Sequence, residues 1–413
     1  MDRINKYFLE AVGAFLKNQT VDWTEEMDCG TWNDLFRRAQ EQSVLPLVFE
    51  AVYRNPKFAE IESEFAFVKR EVQLQVIMQE SRTTEFLNIY RFLNESHIFP
   101  IVVKGIICRQ LYRLPDFRIS SDEDLFVPRG QMGKCHKLLT QYGLETDCNL
   151  RSGEDLPEEI TYVDGKKGIR LEVHSALFGP KDGAYSGLND LFADSYEKRI
   201  AERIGETEVF TMSETDHMLY LICHAFKHFL HSGFGIRQVC DIVQFANHYG
   251  NRIDWRYVRE KTGEVHADVF AAALFRIGDT YFCLDREKAG MRECWADIRV
   301  DESELLEDLL ESGVYGNISL ARKHSSMITL NAVIAGKKQK QRSLTQSVFP
   351  ERTYLIGRYP YLKKYPFLLP VAWLNRIWLY REEVKDKGVK ESAAKSVEIG
   401  KRRVALLKKY KIL

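Results

Sequence analysis

The sequence predicts an α+β protein, in which a small mixed β-sheet with flanking helices lies between N-terminal and C-terminal helical regions. Three observations lead there. Residues 62–95 form a long glycine-free stretch with apolar side chains at helical spacing. Between residues 99 and 174, short apolar runs alternate with turn signals in the order strand, helix, strand, helix, strand, hairpin. From Ser213 onward the amphipathic helical pattern returns and continues to about residue 334.

The N-terminal region reads as helices throughout. Residues 5–16 carry Tyr7, Phe8, Val12 and Phe15 close to helical spacing, and residues 31–42 put Trp32, Leu35 and Ala39 on one face. Residues 45–53 continue apolar. The long stretch at 62–95 places Phe65, Val68, Val72, Leu74, Ile77, Phe86, Ile89 and Phe92 in a stripe expected to face a core.

The strand-rich module begins with Phe99-Pro100-Ile101-Val102-Val103, a buried strand ending at Lys104-Gly105. Residues 106–112 have room for a short helix, and a second strand covers 123–127. Pro128-Arg129-Gly130 turns the chain into a helix at 131–142, and Gly143 suits its C-terminal cap. Residues 144–149 form a third strand, and 159–163 and 169–174 flank Asp164-Gly165 as a hairpin.

Side chains alternate faces along a strand, so Asp122 and Asp124 lie side by side. In the last strand Leu171 and Val173 face one way, and Glu172 and His174 the other. Three carboxylates at strand edges near a tight Lys-Gly turn suggest a site for a divalent metal and phosphate. Their mutual repulsion is costly unless a cation offsets it, and Mg²⁺ prefers such oxygen ligands.

Further helices are expected at 218–231, 236–249, 254–261, 267–282, 302–311, 317–334, 373–380 and 395–410. His217, His224, His228 and His231 crowd one of them, with His224 and His228 one turn apart. There is no His-Glu-x-x-His and no zinc-finger cysteine spacing, which argues against zinc. Arg237 and Asp241, four apart on the next helix, read as a buried ion pair.

The chain has 413 residues, 45% of them hydrophobic and 29% charged, which suits two or three globular domains. Its eight cysteines are scattered, so reduced thiols are expected rather than a disulfide framework. The start lacks an apolar signal core, and no run nears the ~18 apolar residues of a membrane span. A cytoplasmic protein is expected. Net charge is zero, but residues 337–413 hold 20 Lys and Arg against 6 Asp and Glu, leaving −14 on the preceding 336. The tail interleaves its basic residues with Tyr354, Tyr359, Tyr361 and Tyr365, which would suit RNA, an anionic surface or packing on the acidic body.

In order, Lys104-Gly105, Tyr112, Arg118, Ser121-Asp122-x-Asp124-Leu125, Leu171-Glu172-Val173-His174, His224-x-x-x-His228 and Arg237-x-x-x-Asp241 resemble a bacterial nucleotidyltransferase-like family. That family belongs to the DNA polymerase β-type nucleotidyltransferase superfamily, and the matching motifs cover about residues 99–249. The resemblance implies a nucleotidyltransferase core at 99–200, between an N-terminal helical region at 1–98 and a helical domain at 201–336, with a basic tail at 337–413. It implies Mg²⁺-dependent transfer of a nucleoside monophosphate from an NTP to an unidentified hydroxyl acceptor, which could be a small molecule, a protein or RNA.

Asp122, Asp124 and Glu172 would then be the metal ligands and catalytic residues, holding two Mg²⁺ ions for which Mn²⁺ could substitute. Glu172 would be a ligand or the base. Nucleotide contacts are implied for Lys104, Gly105, Arg118, Ser121, His174, His228 and Arg237. Lys104-Gly105 stands where the wider superfamily carries Gly-Ser or Gly-Gly. There the glycine lets backbone approach the triphosphate, and here Lys104 would neutralise phosphate directly. The alternative is a non-catalytic nucleotide-binding or scaffold protein that kept the fold. The intact carboxylates oppose it, since decay would leave Asn or Ser at 122 or 124.

Overall fold

A computed structural model describes residues 1–146, 156–179, 185, 187–291, 294–313, 320–337, 352–356, 359, 361–375 and 393–413. The chain divides into two compact units, Met1–Phe226 with Phe234–Val314, and Lys227–Gly233 with Tyr315–Leu413.

The first unit opens with α1 (Arg3–Leu16), α2 (Cys29–Glu41), α3 (Leu45–Val52), α4 (Pro56–Ala59) and α5 (Ala66–Glu95). Local chemistry sets the starts of α1 and α2: Asp2 and Asp28 accept the backbone N–H of Asn5 and Thr31, satisfying donors that a helix leaves open. The expected stripe of α5 holds only in part. Val68, Val72, Phe86 and Ile89 are buried, but Leu74 and Ile77 are 48% and 60% exposed. The inward face runs instead from Val72 to Gln79, one apolar position being filled by an amide that has a task at the site.

Among the described residues the sheet has seven strands: β1 (Ile101–Val102), β2 (Glu123–Phe126), β3 (Glu145–Thr146), β4 (Glu159–Asp164), β5 (Ile169–His174), β6 (Ile200–Ile204) and β7 (Thr207–Thr211). Their order is β3-β4-β5-β2-β1-β7-β6, with β2–β5 and β1–β7 parallel and the other pairs antiparallel. Between strands lie α6 (Gly105–Arg109) and α7 (Met132–Tyr142), the latter ended by Gly143 in the left-handed region at φ 105°. The expected third strand is shorter than 144–149, and its residues beyond 146 lie outside the described ones. The hairpin β6–β7 is not among the elements expected from the sequence. Its signal is Gly205, at φ 58° between two runs with alternating burial.

Alternation along the central strands gives the sheet two different faces. Val102, Leu125, Leu171 and Val173 pack with Phe86, Ile89 and Leu139 of α5 and α7. Ile101 and Val103 pack on the opposite side with Phe178, Phe192, Leu219 and Tyr220. Tyr90 of α5 ties neighbouring strands together, donating to the Pro100 carbonyl at 2.6 Å while accepting the Phe210 N–H at 2.9 Å.

Helices follow as expected: α8 (Glu214–Leu230), α9 (Ile236–Tyr249), α10 (Trp255–Glu264), α11 (Asp268–Tyr281) and α12 (Ser303–Ser312). The last turn of α8 belongs to the second unit, with α13 (Leu320–Lys337) and a final helix, Ala393–Lys409. Those two pack closely at Gly400, where a Cβ would lie 2.7 Å from Ile328 Cδ1. Arg403 donates to the carbonyls of Phe229 and His231. The described part of the basic tail also exposes Tyr361, Tyr365, Phe367, Val371 and Leu374. The described cysteines are all free thiols, and no described helix is long and apolar enough to cross a membrane.

Candidate active site

The register of two parallel strands builds the site. Asp124 pairs with Glu172 and Phe126 with His174, so these four side chains share the face opposite Leu125 and Val173. One ligand atom each from Asp124, Glu172 and His174 lies within 4.8 Å of the others. That is about the span across one ion's coordination sphere, given metal–ligand bonds of roughly 2.0–2.4 Å. Two carboxylates and an imidazole could therefore hold a divalent cation. His174 Nε2 lies 3.2 Å from Asp124 Oδ1, and its Nδ1 lies 3.6 Å from Glu159.

A fixed positive charge meets the same carboxylate. Lys104 Nζ lies 2.9 Å from Asp124 Oδ2 and 3.0 Å from His224 Nε2 on α8. Burial alone would discourage both charges. It is outweighed for Lys104 by Asp124, Tyr220 and Asp122, which raise its pKa, and for Asp124 by Lys104 and His174, which hold it well below the usual carboxylate range. Glu172 shifts the other way, raised first by burial and then by Asp124 and Asp122, while Arg170 at 3.1 Å partly offsets them.

Between the two aspartates, Glu123 points into the opposite layer and anchors the strand. Its carboxylate accepts the Ile106 N–H at 2.8 Å at the start of α6, and it pairs with the fully buried Arg109. Gly105, at φ 45°, makes room for it: a Cβ there would overlap the carboxylate, with Glu123 Cδ 2.8 Å away. Ser120 continues the same cluster, its Oγ accepting from Arg109 and its N–H donating to Gln79 Oε1 at 2.8 Å. The amide in the inward stripe of α5 thus fixes the loop that carries Asp122. Sequence reasoning missed Glu123 and Arg109; the available signal was an acid on the apolar face of a buried strand, which demands a partner.

The remaining expected residues fall into three groups. Lys104, Gly105, Asp122, Arg118 and Arg237 line one cleft with His224. Within it, Arg118 is committed to Asp241 through bonds of 3.1 and 2.5 Å, and Tyr112 donates to the same carboxylate at 2.9 Å. Asp241 therefore pairs with Arg118 rather than with Arg237, because the loop before β2 crosses α9 there. Arg237 donates to the Ile119 carbonyl at 2.5 Å. Burial and the nearby Arg118 lower its pKa, and Asp241 and Asp122 counter that. Ser121 is exposed and donates to Asp122 at 3.2 Å. His228 belongs to the second unit.

The arrangement brings a group that could hold a cation next to Lys104, which lines a cleft with the guanidinium groups of Arg118 and Arg237. No curated protein and no solved structure matches the chain. A family model described as an uncharacterised nucleotidyltransferase matches residues 28–282, which takes in the whole sheet and every cleft residue named above. On that match, extending over more than half its length, the chain belongs to this nucleotidyltransferase family.

Proposed function

We propose that the protein is a Mg²⁺-dependent nucleotidyltransferase of the polymerase β type, moving a nucleoside monophosphate from an NTP to a hydroxyl acceptor. The observation that carries this reading is the paired register of Asp124 and Glu172, with His174 beside them, joined through Asp124 to Lys104, which lines a cleft with Arg237. Asp124, Glu172 and His174 would hold the cation, and Asp122 would add its charge from the cleft. A bound divalent ion would polarise the α-phosphate and offset charge on the departing pyrophosphate.

The chain's own residues would do the rest. Arg237 and Lys104 bind the triphosphate, Arg118 positions the loop through Asp241, and Ser121 orients Asp122. The acceptor oxygen attacks the α-phosphorus, its bond to the bridging oxygen breaks, and pyrophosphate leaves. We assign the hydroxyl proton to the Glu172 carboxylate, which would act as the general base.

The test is transfer of label from each α-³²P-labelled NTP, with and without Mg²⁺, to cell-extract components by wild type and Asp122→Asn/Asp124→Asn. Labelled product that needs both the metal and the aspartates supports the reading. Absence of product from folded wild type with all four NTPs, together with absence of NTP binding, would leave the scaffold alternative.

A further inference from the structure

Resting on that reading, we infer that the site takes a single divalent cation and that the Lys104 ammonium occupies the place of a second. In a two-metal site the ions sit ~3.5–4 Å apart and clamp the attacking and leaving oxygens. A shared carboxylate can serve both only by giving one oxygen to each. Here the two oxygens of Asp124 are already differentiated. Oδ1 faces His174 Nε2 at 3.2 Å, whereas Oδ2 faces Lys104 Nζ at 2.9 Å, and Asp124 and His174 share one group with Glu172.

The ammonium is held there from both sides. An ammonium has donors only, so the His224 nitrogen 3.0 Å away must accept, which puts that ring's proton on Nδ1. Lys104 is also short of room to leave, its side chain being 18% exposed and its backbone pinned between β1 and α6. A second divalent ion at Oδ2 would meet this charge within contact distance, in a site partly shielded from water, where like charges repel strongly. The metal group itself takes in Asp124, Glu172 and His174. Asp122 lies on the cleft, where it bears on Lys104 and Glu172 through its charge.

Lys104 thus supplies without exchange the charge that a second ion would bring. It leaves one exchangeable ion per site and a permanent cation facing the phosphates.

The experiment counts bound Mn²⁺ per chain by electron paramagnetic resonance on wild type and Lys104→Met. Each protein is studied alone and with a non-hydrolysable NTP analogue, after correction for Mn²⁺ on free nucleotide. One Mn²⁺ per wild-type chain with no spin-coupled pair, rising to two with a coupled pair in Lys104→Met, is the expected result. Two coupled ions in wild type would overturn the inference while leaving the nucleotidyltransferase reading intact. Wild type that binds no Mn²⁺ even with nucleotide would overturn the reading on which it rests. A second ion still absent from folded Lys104→Met would show that the lysine does not exclude it. Should that variant fail to fold, the wild-type count decides alone.

Discussion

Gly105→Ala separates two roles for one glycine. If the residue serves only to let phosphate approach, an alanine should fold normally and bind nucleotide poorly. The structure gives it another task, since the space a Cβ would need is filled by the Glu123 carboxylate. The methyl would push that carboxylate off the Ile106 N–H and away from Arg109, which is fully buried. Leaving the buried N–H unsatisfied costs about 1–3 kcal/mol, and parting a buried ion pair about 3–5 kcal/mol. Forcing a side chain into the left-handed region adds about 1–2 kcal/mol. These overlap, because one displacement causes all three, so a loss of about 3–5 kcal/mol is expected. For a unit of this size that is a fall of roughly 5–10 °C in melting temperature. Scanning calorimetry of wild type, Gly105→Ala, Glu123→Ala and Gly105→Ala/Glu123→Ala reads it. The double variant should lose less than the sum of its singles, since removing the carboxylate makes room for the methyl. A Gly105→Ala protein within 1 °C of wild type would refute the reasoning.

Two other substitutions probe separate links. Arg237→Met should leave folding nearly unchanged, its one described bond being to a backbone carbonyl, yet weaken NTP binding roughly 10- to 100-fold through loss of a charged hydrogen bond of about 1.5–3 kcal/mol; equal affinity by calorimetry would remove it from the phosphate site. His217 is fully buried on α8, 3.2 Å from Thr211 Oγ1, and burial pushes its imidazole down to about 4. Because the folded chain resists protonation that the unfolded chain accepts near pH 6.5, stability should fall as pH drops below that value, by about 3 kcal/mol down to pH 4. His217→Leu should flatten this limb of the melting curve, and an unchanged slope would show that other groups cause it.

Much of the fold was legible because periodicity and caps act locally. α9 covers the residues its apolar spacing predicts, and the shared face of Glu172 and His174 follows from strand alternation alone, whereas Asp122 lies just before β2, outside the alternation. What sequence could not show was which strands become neighbours. The parallel pairing of β2 with β5 brings Asp124 against Glu172 across nearly fifty residues, and no local signal encodes it. The same holds for Asp241, whose partner is Arg118 from a distant loop rather than Arg237 one turn away. The stripe of α5 was over-read for a related reason. Leu74 and Ile77 have the right spacing, but what faces them is decided by tertiary packing, and Gln79 turns inward because Ser120 needs an acceptor.

Calorimetric titration of the wild-type chain with each of the four NTPs, with and without Mg²⁺, tests the central claim most directly when repeated on Asp122→Asn/Asp124→Asn. Binding of at least one NTP that requires Mg²⁺ and disappears in the double variant is the predicted result. Folded wild-type protein that binds none of the four, with or without the metal, would contradict it.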